Sequence, residues 1–481
     1  MRWVTRGLLG ARALVLLGGV ASTGCLLPSY EEGWNRKFGG IKVDESRAVV
    51  IDSCKSVILA GRYESYMSFD GEETFIEPDT LGNIFVAKYD SAGDPLWSRQ
   101  LGDAAIQGAT SIAVDDEDNI FVAGEFMGAL QIGDTTLTNP NSPPADMMIP
   151  PVTHVFVAKL GEDGAPLWST SFGDPTNVFP TTSADIAVDT QGRVVVIGNF
   201  GGIVDFGGGA RDSGMGVDAY LVKYDAAGGH IFSQSFDDNE GVNGRGVATD
   251  ADDNIVVTGD HRGILKIGGE TLMDGGSPNA FVAKLDGSGS PVLWARSYGV
   301  GNTQIGNAVT VDADRNVLVT GMTSGMVDFG GGFLDSVHAA NGDPTRDIFV
   351  LKLSPAGVHQ WSRDFGGTGV DEGLAIAVDS AGDVIVTGTS DGDLGFDGAP
   401  LVAAGETDIV LTKVSGADGQ ARSASRFGDA KKQSVTGMAV SPEGDIFLTG
   451  NFVGKLEFGG TPLENNNMDL DFFLARLMPL P

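Results

Sequence analysis

Two acidic runs offer the most direct chemistry in the 481-residue sequence: Asp250-Ala251-Asp252-Asp253-Asn254 and Asp312-Ala313-Asp314-Arg315-Asn316. Oxygens at alternating positions can wrap a hard cation such as calcium. An EF-hand loop also needs Gly at its sixth position and a bidentate acid at its twelfth. Here those positions hold Ile255 and His261, or Val317 and Thr323. Asx turns account for the same residues, so no cofactor is expected and calcium is the secondary reading. A set of basic residues, Lys88, Lys159, Lys223, Lys284, Lys352, Lys413 and Arg476, could in principle ring a phosphate. Aspartates Asp115, Asp189, Asp250, Asp312 and Asp379 recur in step with them, so ion pairing is the expected use. A third set, Asn83, His154, Asp218, Asn279, Asp347, Asp408 and Asp471, could line a cation-binding rim, or simply cap strand starts.

Other constellations are missing. The five histidines fall apart from one another with no zinc-ligand spacing. There is no G-x-S-x-G elbow and no Cys–His pair. The GGG runs follow DF in loops, away from any strand-to-helix turn, so they are not phosphate cradles. His261-Arg262 is the nearest approach to an odd polar cluster. With 64 acids, carboxylate pairs arise by chance. No catalytic residue or metal ligand is therefore assigned, and an enzyme is not expected.

The recurrent residues belong to a repeat. NIFVAKYD (83–90) returns as HVFVAKLG, DAYLVKYD, NAFVAKLD, DIFVLKLS, DIVLTKVS and DFFLARLM, at intervals of about 61 to 71 residues. A second landmark follows each of the first six: Trp97, Trp168, Phe232, Trp294 and Trp361, with SASRFG (423–428) as a degraded copy. IAVD-like and VTG-like stretches complete the unit. Their Val, Ile and Phe content and turn-rich flanks predict four short strands, a to d, with no 3.6-residue period. The 71 glycines fit many tight turns. Small residues two positions before the aspartate, such as Ala113 and Ala187, suit a crowded innermost strand. Bulky Trp and Phe on strand d suit the wider outer gap.

The phase of the repeat predicts how it closes. The first landmark, GWNRKFGG (33–40) with Trp34, matches strand d, and the last, DFFLARL, matches strand c. An N-terminal strand completing the last blade removes the open sheet ends. The fold class is all-β: a seven-bladed β-propeller of four-stranded blades over 33–478, with 479–481 as a tail. The FVAK, LWS…FGD, IAVD…GN and VTG blocks resemble the bacterial seven-bladed β-propeller (SBBP) repeat family. That resemblance implies a propeller, often on lipoproteins or large surface proteins, and no common chemistry.

The N-terminus reads as an export signal. Arg2, Arg6 and Arg12 precede a short apolar run ending in Ser22-Thr23-Gly24-Cys25. This resembles the bacterial lipoprotein box, which implies a signal peptide over 1–24, lipidation of Cys25 and a tether over 25–32. Membrane association then rests on lipid alone, since no later segment is apolar for long enough to span. Cys54 lacks a disulfide partner. A formal charge of −33 excludes nucleic-acid binding. Short a–b and c–d turns occupy one face, and long b–c and d–a connections the other; the longest, 127–153, holds five prolines. Function is expected on that variable face: a monomeric, non-enzymatic scaffold on the cell envelope, in the outer membrane or at the cell surface, binding a protein or surface polysaccharide. The alternative is a hydrolase or lyase for a carbohydrate or lactone.

Overall fold

The computed structural model describes residues 30–40, 42–64, 66–69, 74–76, 82–102, 106–139, 152–176, 179–237, 240–273, 276–299, 301–336, 345–396, 399–465 and 469–480. Among them every regular element is a β-strand. Strand a is innermost and strand d outermost in each blade. Blade 1 comprises Glu45–Ile51, Val57–Tyr63, Asn83–Tyr89 and Pro95–Leu101; blades 2 to 6 occupy 107–172, 181–236, 242–298, 304–367 and 371–427. Blade 7 takes Gln433–Val440, Ile446–Phe452 and Asp471–Pro479 from the C-terminus and Tyr30–Phe38 from the N-terminus. Successive a strands pack side by side, blade 7 against blade 1 included, so the ring is closed.

The closing pair sets Trp34 opposite Arg476 and Phe38 opposite Phe472. It also extends further than the sequence landmarks indicate. Tyr30 pairs with Pro479, so the ring spans 30–479 and the segment between Cys25 and the first strand is shorter than the 25–32 expected. Glu31 and Glu32 carry no repeat landmark, which is why the pattern missed them.

Blades stack face to face, and this explains the apolar runs. Strands b and c are covered on both faces, so Val57–Tyr63 and Asn83–Tyr89 are almost wholly buried and read as unbroken hydrophobic runs. Strand d, at the outer edge, is exposed over much of its length and buried only at points such as Ser98 and Leu101.

One row of residues crosses every blade. In blade 2 it runs Ala113, Phe121, Lys159, Trp168, from the channel outward; in blade 5 it runs Thr310, Leu318, Lys352, Trp361. The lysine lies over its strand-b neighbour and reaches the aspartate ending strand a. Nζ–Oδ2 distances are 2.8 Å for Lys88–Asp52, 3.0 Å for Lys159–Asp115, 2.8 Å for Lys223–Asp189, 2.7 Å for Lys284–Asp250, 2.9 Å for Lys352–Asp312 and 2.7 Å for Lys413–Asp379. In blade 7 the aspartate becomes Ser441, and Arg476 reaches Asp445 at 2.6 Å instead. The Lys223–Asp189 pair is fully buried on both sides. The apolar stem spans strand b while the charge meets its partner.

The tryptophan of the row joins one blade to the next. Trp97 Nε1 donates to the Glu162 carbonyl in the c–d turn of blade 2, at 3.1 Å, and Lys88 Nζ donates to the same oxygen. Trp361 and Lys352 share Gly416 O, and Trp34 and Arg476 share Ser91 O. Phe232 has no donor, and there Lys223 alone reaches Gly287 O. The ring of each tryptophan lies on a turn glycine with positive φ. A Cβ at Gly164 (φ +77°) would stand 2.9 Å from Trp97, and one at Gly357 2.5 Å from Trp294. Only glycine fits both the backbone and the ring.

This contact explains the degraded sixth copy. Ser423 holds the tryptophan position of blade 6, and its neighbour, blade 7, is the one blade whose c and d strands come from opposite chain ends. It has no c–d turn to seat an indole. Lys413 instead hydrogen-bonds the Tyr30 hydroxyl at the start of the closing strand.

The b–c connections fold into small hairpins such as Ala129–Ile132 with Thr135–Thr138, and Ile264–Ile267 with Glu270–Met273. Each wedges against the d strand of the preceding blade: Gln131 O accepts from Gly102 N, and Lys266 bridges Asp237. In blade 3 strands b and c themselves lengthen to Val194–Asp205 and Ala210–Tyr224. These hairpins serve largely to fill the outer gaps. Of the longest connection, residues 140–151 lie outside the described residues.

Removing residues 30–38 should lower the melting temperature of the whole ring, because the third strand of blade 7 loses its partner. An unchanged melting temperature would contradict closure by this strand. Gly164→Ala should cost about 1–3 kcal/mol in urea unfolding. Gly209→Ala, with positive φ but open space around it, should cost clearly less; equal losses would remove the indole contact from the account.

Candidate functional site

The expected site residues fall into two groups at opposite ends of the ring. At the turn end, each aspartate closes an Asx turn with one oxygen and binds lysine with the other. Asp115 Oδ1 accepts the Glu117 and Asn119 N–H groups at 3.0 and 2.8 Å, while Oδ2 meets Lys159. Asp189, Asp250, Asp312 and Asp379 repeat the arrangement. Burial alone would raise these carboxyls. For Asp115, Asp189, Asp250 and Asp312 the hydrogen bonds from lysine and from the turn outweigh it and hold them below the usual range. The lysines are thus committed to ion pairs rather than open to a phosphate. Neighbouring turns also bind one another: Asp253 accepts from Thr190, Gln191 and Arg193, and Asp118 from Ser53.

The residues opening strand c do not line an open rim. Asn83, His154, Asp218, Asn279, Asp347, Asp408 and Asp471 are all buried. Asp471 binds Lys37 at 3.0 Å and Asp408 binds Arg426 at 2.7 Å. Glycines at the end of strand d, such as Gly173 under His154 and Gly366 under Asp347, leave room for them. His261 is buried with Nε2 2.8 Å from Ser297 Oγ, between strands c and d and away from the channel. The GGG runs seat histidines: a Cβ at Gly208 or Gly331 would stand 2.3 Å from the His230 or His359 ring. Cys54 is exposed in a turn, and Cys25 lies outside the described residues.

The channel is where the blades stop being alike. Each a strand has a bulge five residues before its terminal turn residue, at Arg47, Thr110, Ala184, Arg245, Asn307, Leu374 and Thr436. A bulge turns one extra side chain towards the axis. These seven line a cavity of about 310 Å³. A ring of Val49, Ile112, Val309, Ile376 and Met438 forms its apolar turn-side part. Where other blades have Ala, Ser or Gly next to the bulge, blade 3 has Asp185, whose carboxylate accepts Ser111 Oγ of blade 2 and Val247 N of blade 4.

A second cavity of about 270 Å³ adjoins it between blades 1 and 2, at the long-loop end, and shares Arg47 and Thr110. Its charged lining is Glu45, Arg47, Arg62 and Glu125. Arg47 binds Glu45 at 2.6 Å and Arg62 binds Glu64. Glu125 accepts the Ser183 N–H of blade 3; burial pushes its carboxyl up to about 7, with Arg47 pulling against that. In blades 3 and 7 an asparagine takes this position and clips the next a strand: Asn199 accepts from Gly244 N and Asn451 from Ser46 N. The repeat landmarks did not flag this cluster. Aligning residues five before each terminal turn residue, and those following the VTG-type glycine, would have exposed it as non-repeating.

A beta-propeller repeat family model (SBBP) matches residues 96–125, which run from strand d of blade 1 through strands a and b of blade 2. An uncharacterised WD repeat-containing protein of Acanthamoeba polyphaga mimivirus is 22% identical over 441 residues, covering 74% of this chain and 31% of that protein. The regulatory protein FlaEY of Caulobacter vibrioides is 27% identical over 240 residues, 46% of this chain and 24% of its own length. The chain thus spans about a third of the first relative and a quarter of the second. Among solved structures, the Pan2 WD40 domain of Neurospora crassa aligns with 94% of this chain and 97% of its own at 8% identity, with a TM-score of 0.44.

Six carboxyls are raised chiefly by burial: Asp44 to about 6, Glu125 to about 7, Asp185 to about 6 and Asp371 to about 7, with Asp364 and Asp471 also above the usual range. A raised carboxyl binds its proton more tightly in the folded state, so stability falls as pH rises through about 4 to 7. The lowered turn aspartates lose their contribution only below about pH 4. The melting temperature should therefore peak near about pH 4 and decline towards both pH 7 and pH 3. Asp371→Asn should flatten the alkaline decline; a wild-type profile rising from pH 5 to pH 8 would contradict these shifts.

Proposed function

We propose that the chain is a non-enzymatic, monomeric scaffold of the bacterial cell envelope that binds a protein or surface polysaccharide through its long-loop face. The propeller fold and the likeness to WD-repeat proteins support an interaction role. One observation carries the choice of face. At the turn end nearly every charged residue in the repeat is engaged in joining strands and blades, while the non-repeating polar residues gather at the long-loop end of the channel. Differences among otherwise equivalent blades are where selective contacts reside.

The export reading adds an orientation. Tyr30 begins the closing strand at the turn end, beside Lys413. A lipid on Cys25 would stand five residues away, about 18 Å at full extension. The turn face then lies towards the membrane and the long-loop face points outward. The acidic turns beneath repel anionic headgroups and keep the ring from lying flat on them.

Cys25→Ser in the full chain should move the protein from membrane to soluble fractions; continued sedimentation with membranes would remove the lipid anchor. That soluble variant should capture an envelope protein or glycan. Arg62→Ala with Asn243→Ala, at the long-loop end, should abolish the capture, whereas Asp116→Ala with Asp252→Ala on the turn face should leave it intact. The reverse pattern would overturn the choice of face.

A further inference from the structure

The cavity between blades 1 and 2 holds an unevenly paired set of charges. Two arginines and two carboxylates line it, and both arginines are already taken: Arg47 by Glu45, and Arg62 by Glu64, which is not part of the lining. Glu125 is left with the Ser183 N–H as its bonding partner and faces a space of about 270 Å³. The remaining wall is neutral, with Ile106 and Ala109 giving apolar surface and Gln107, Thr110 and Thr153 giving polar edges. We propose that this cavity is a binding site for a small primary amine, whose ammonium group pairs with Glu125 and whose carbon body lies against Ile106 and Ala109.

Charge and packing agree on this ligand class. A carboxylate taken out of water without a counter-ion is costly, and a cation beside it recovers that cost. An anionic ligand would have to displace Glu45 or Glu64 from an arginine; a neutral one would leave Glu125 with only the pull of Arg47, which Glu45 already shares. The formal charge of −33 draws cations towards the ring as a whole. Gly82 leaves Arg62 its place, since a Cβ there would stand 3.0 Å from the guanidinium Nε. The proposal depends neither on a lipid anchor nor on a macromolecular partner, so its failure would leave the scaffold reading untouched.

The coupling to protons gives the test. The amine binds ionised Glu125, so affinity should rise with pH through about 7 and level off above 8. The groups that face Glu125 are Glu45, Arg47 and Arg62 in the cavity wall and the buried Tyr220 of blade 3, whose hydroxyl is held well above its usual range by burial and the Glu125 charge. The probe is n-butylamine, protonated throughout, with 1-butanol as its neutral counterpart, titrated into the full chain carrying Cys25→Ser and observed by carboxyl-selective NMR. The expected result is a Kd for butylamine roughly tenfold lower at pH 8 than at pH 6, a fall in the Glu125 titration midpoint when amine is present, and no binding of butanol. Glu125→Gln keeps an acceptor for Ser183 and should abolish amine binding. Equal binding of amine and alcohol, a pH-independent Kd in the unmutated cavity, or full binding by Glu125→Gln would each overturn the proposal.

Discussion

A buried lysine that crosses one strand to reach an aspartate organises this ring. The Lys–Asp pair ties strand c to the end of strand a, and the same ammonium or the neighbouring indole then grips the turn of the next blade. Within a blade, the backbone ladder would hold the strands without it. Between blades, most contact is made by apolar faces, which stack with little regard to register, alongside turn-to-turn bonds such as Asp253 with Thr190 and Asp118 with Ser53. Charge-assisted bonds from Lys88, Lys223, Lys352 and Arg476 to carbonyls of the adjoining blade supply direction.

The exceptions obey the same rule. Ser423 replaces tryptophan where no turn exists to receive it. Ser441 replaces aspartate in the blade where the cation is Arg476, long enough to reach Asp445. Phe232 lacks a donor, and its lysine takes over the carbonyl. Constraint therefore concentrates at the turn end, and the opposite end is freer to vary. There the bulged a strands present Arg47, Arg245, Asn307 and Thr436 around one axis, and blades 1 and 2 part enough to leave a charged cavity.

Much of this was legible in the sequence because it repeats. The blade count, the four-strand unit, the out-of-phase ends and the aspartate–lysine correspondence all follow from recurring residues, and all are found. What repetition hides is whatever occurs once. Glu125, Arg62 and Asp185 stand at positions where each blade differs, so no landmark marks them. The bulges that aim Arg47 and Arg245 inward are backbone events set by packing of a strands round the channel, and side-chain type alone does not announce them. Tyr30 was passed over for a related reason: it stands in for a turn, and only the closed ring shows the vacancy it fills. Function was expected on the long connections, and their hairpins also seal the outer gaps, because Leu130, Ile132 and Leu137 are buried there.

The central claim is that the buried pair acts as one unit, and a double-mutant cycle on Lys223 and Asp189 tests it most directly. Each is fully buried, and Asp189 is also held by Arg193 at 2.6 Å. Asp189→Asn alone should therefore cost about 3–5 kcal/mol in equilibrium unfolding by stranding the lysine, and Lys223→Met less, since Arg193 keeps the aspartate paired. The double variant should cost far less than the two singles added together. Additive losses would mean that the pair is incidental and that apolar stacking alone holds the blades in register.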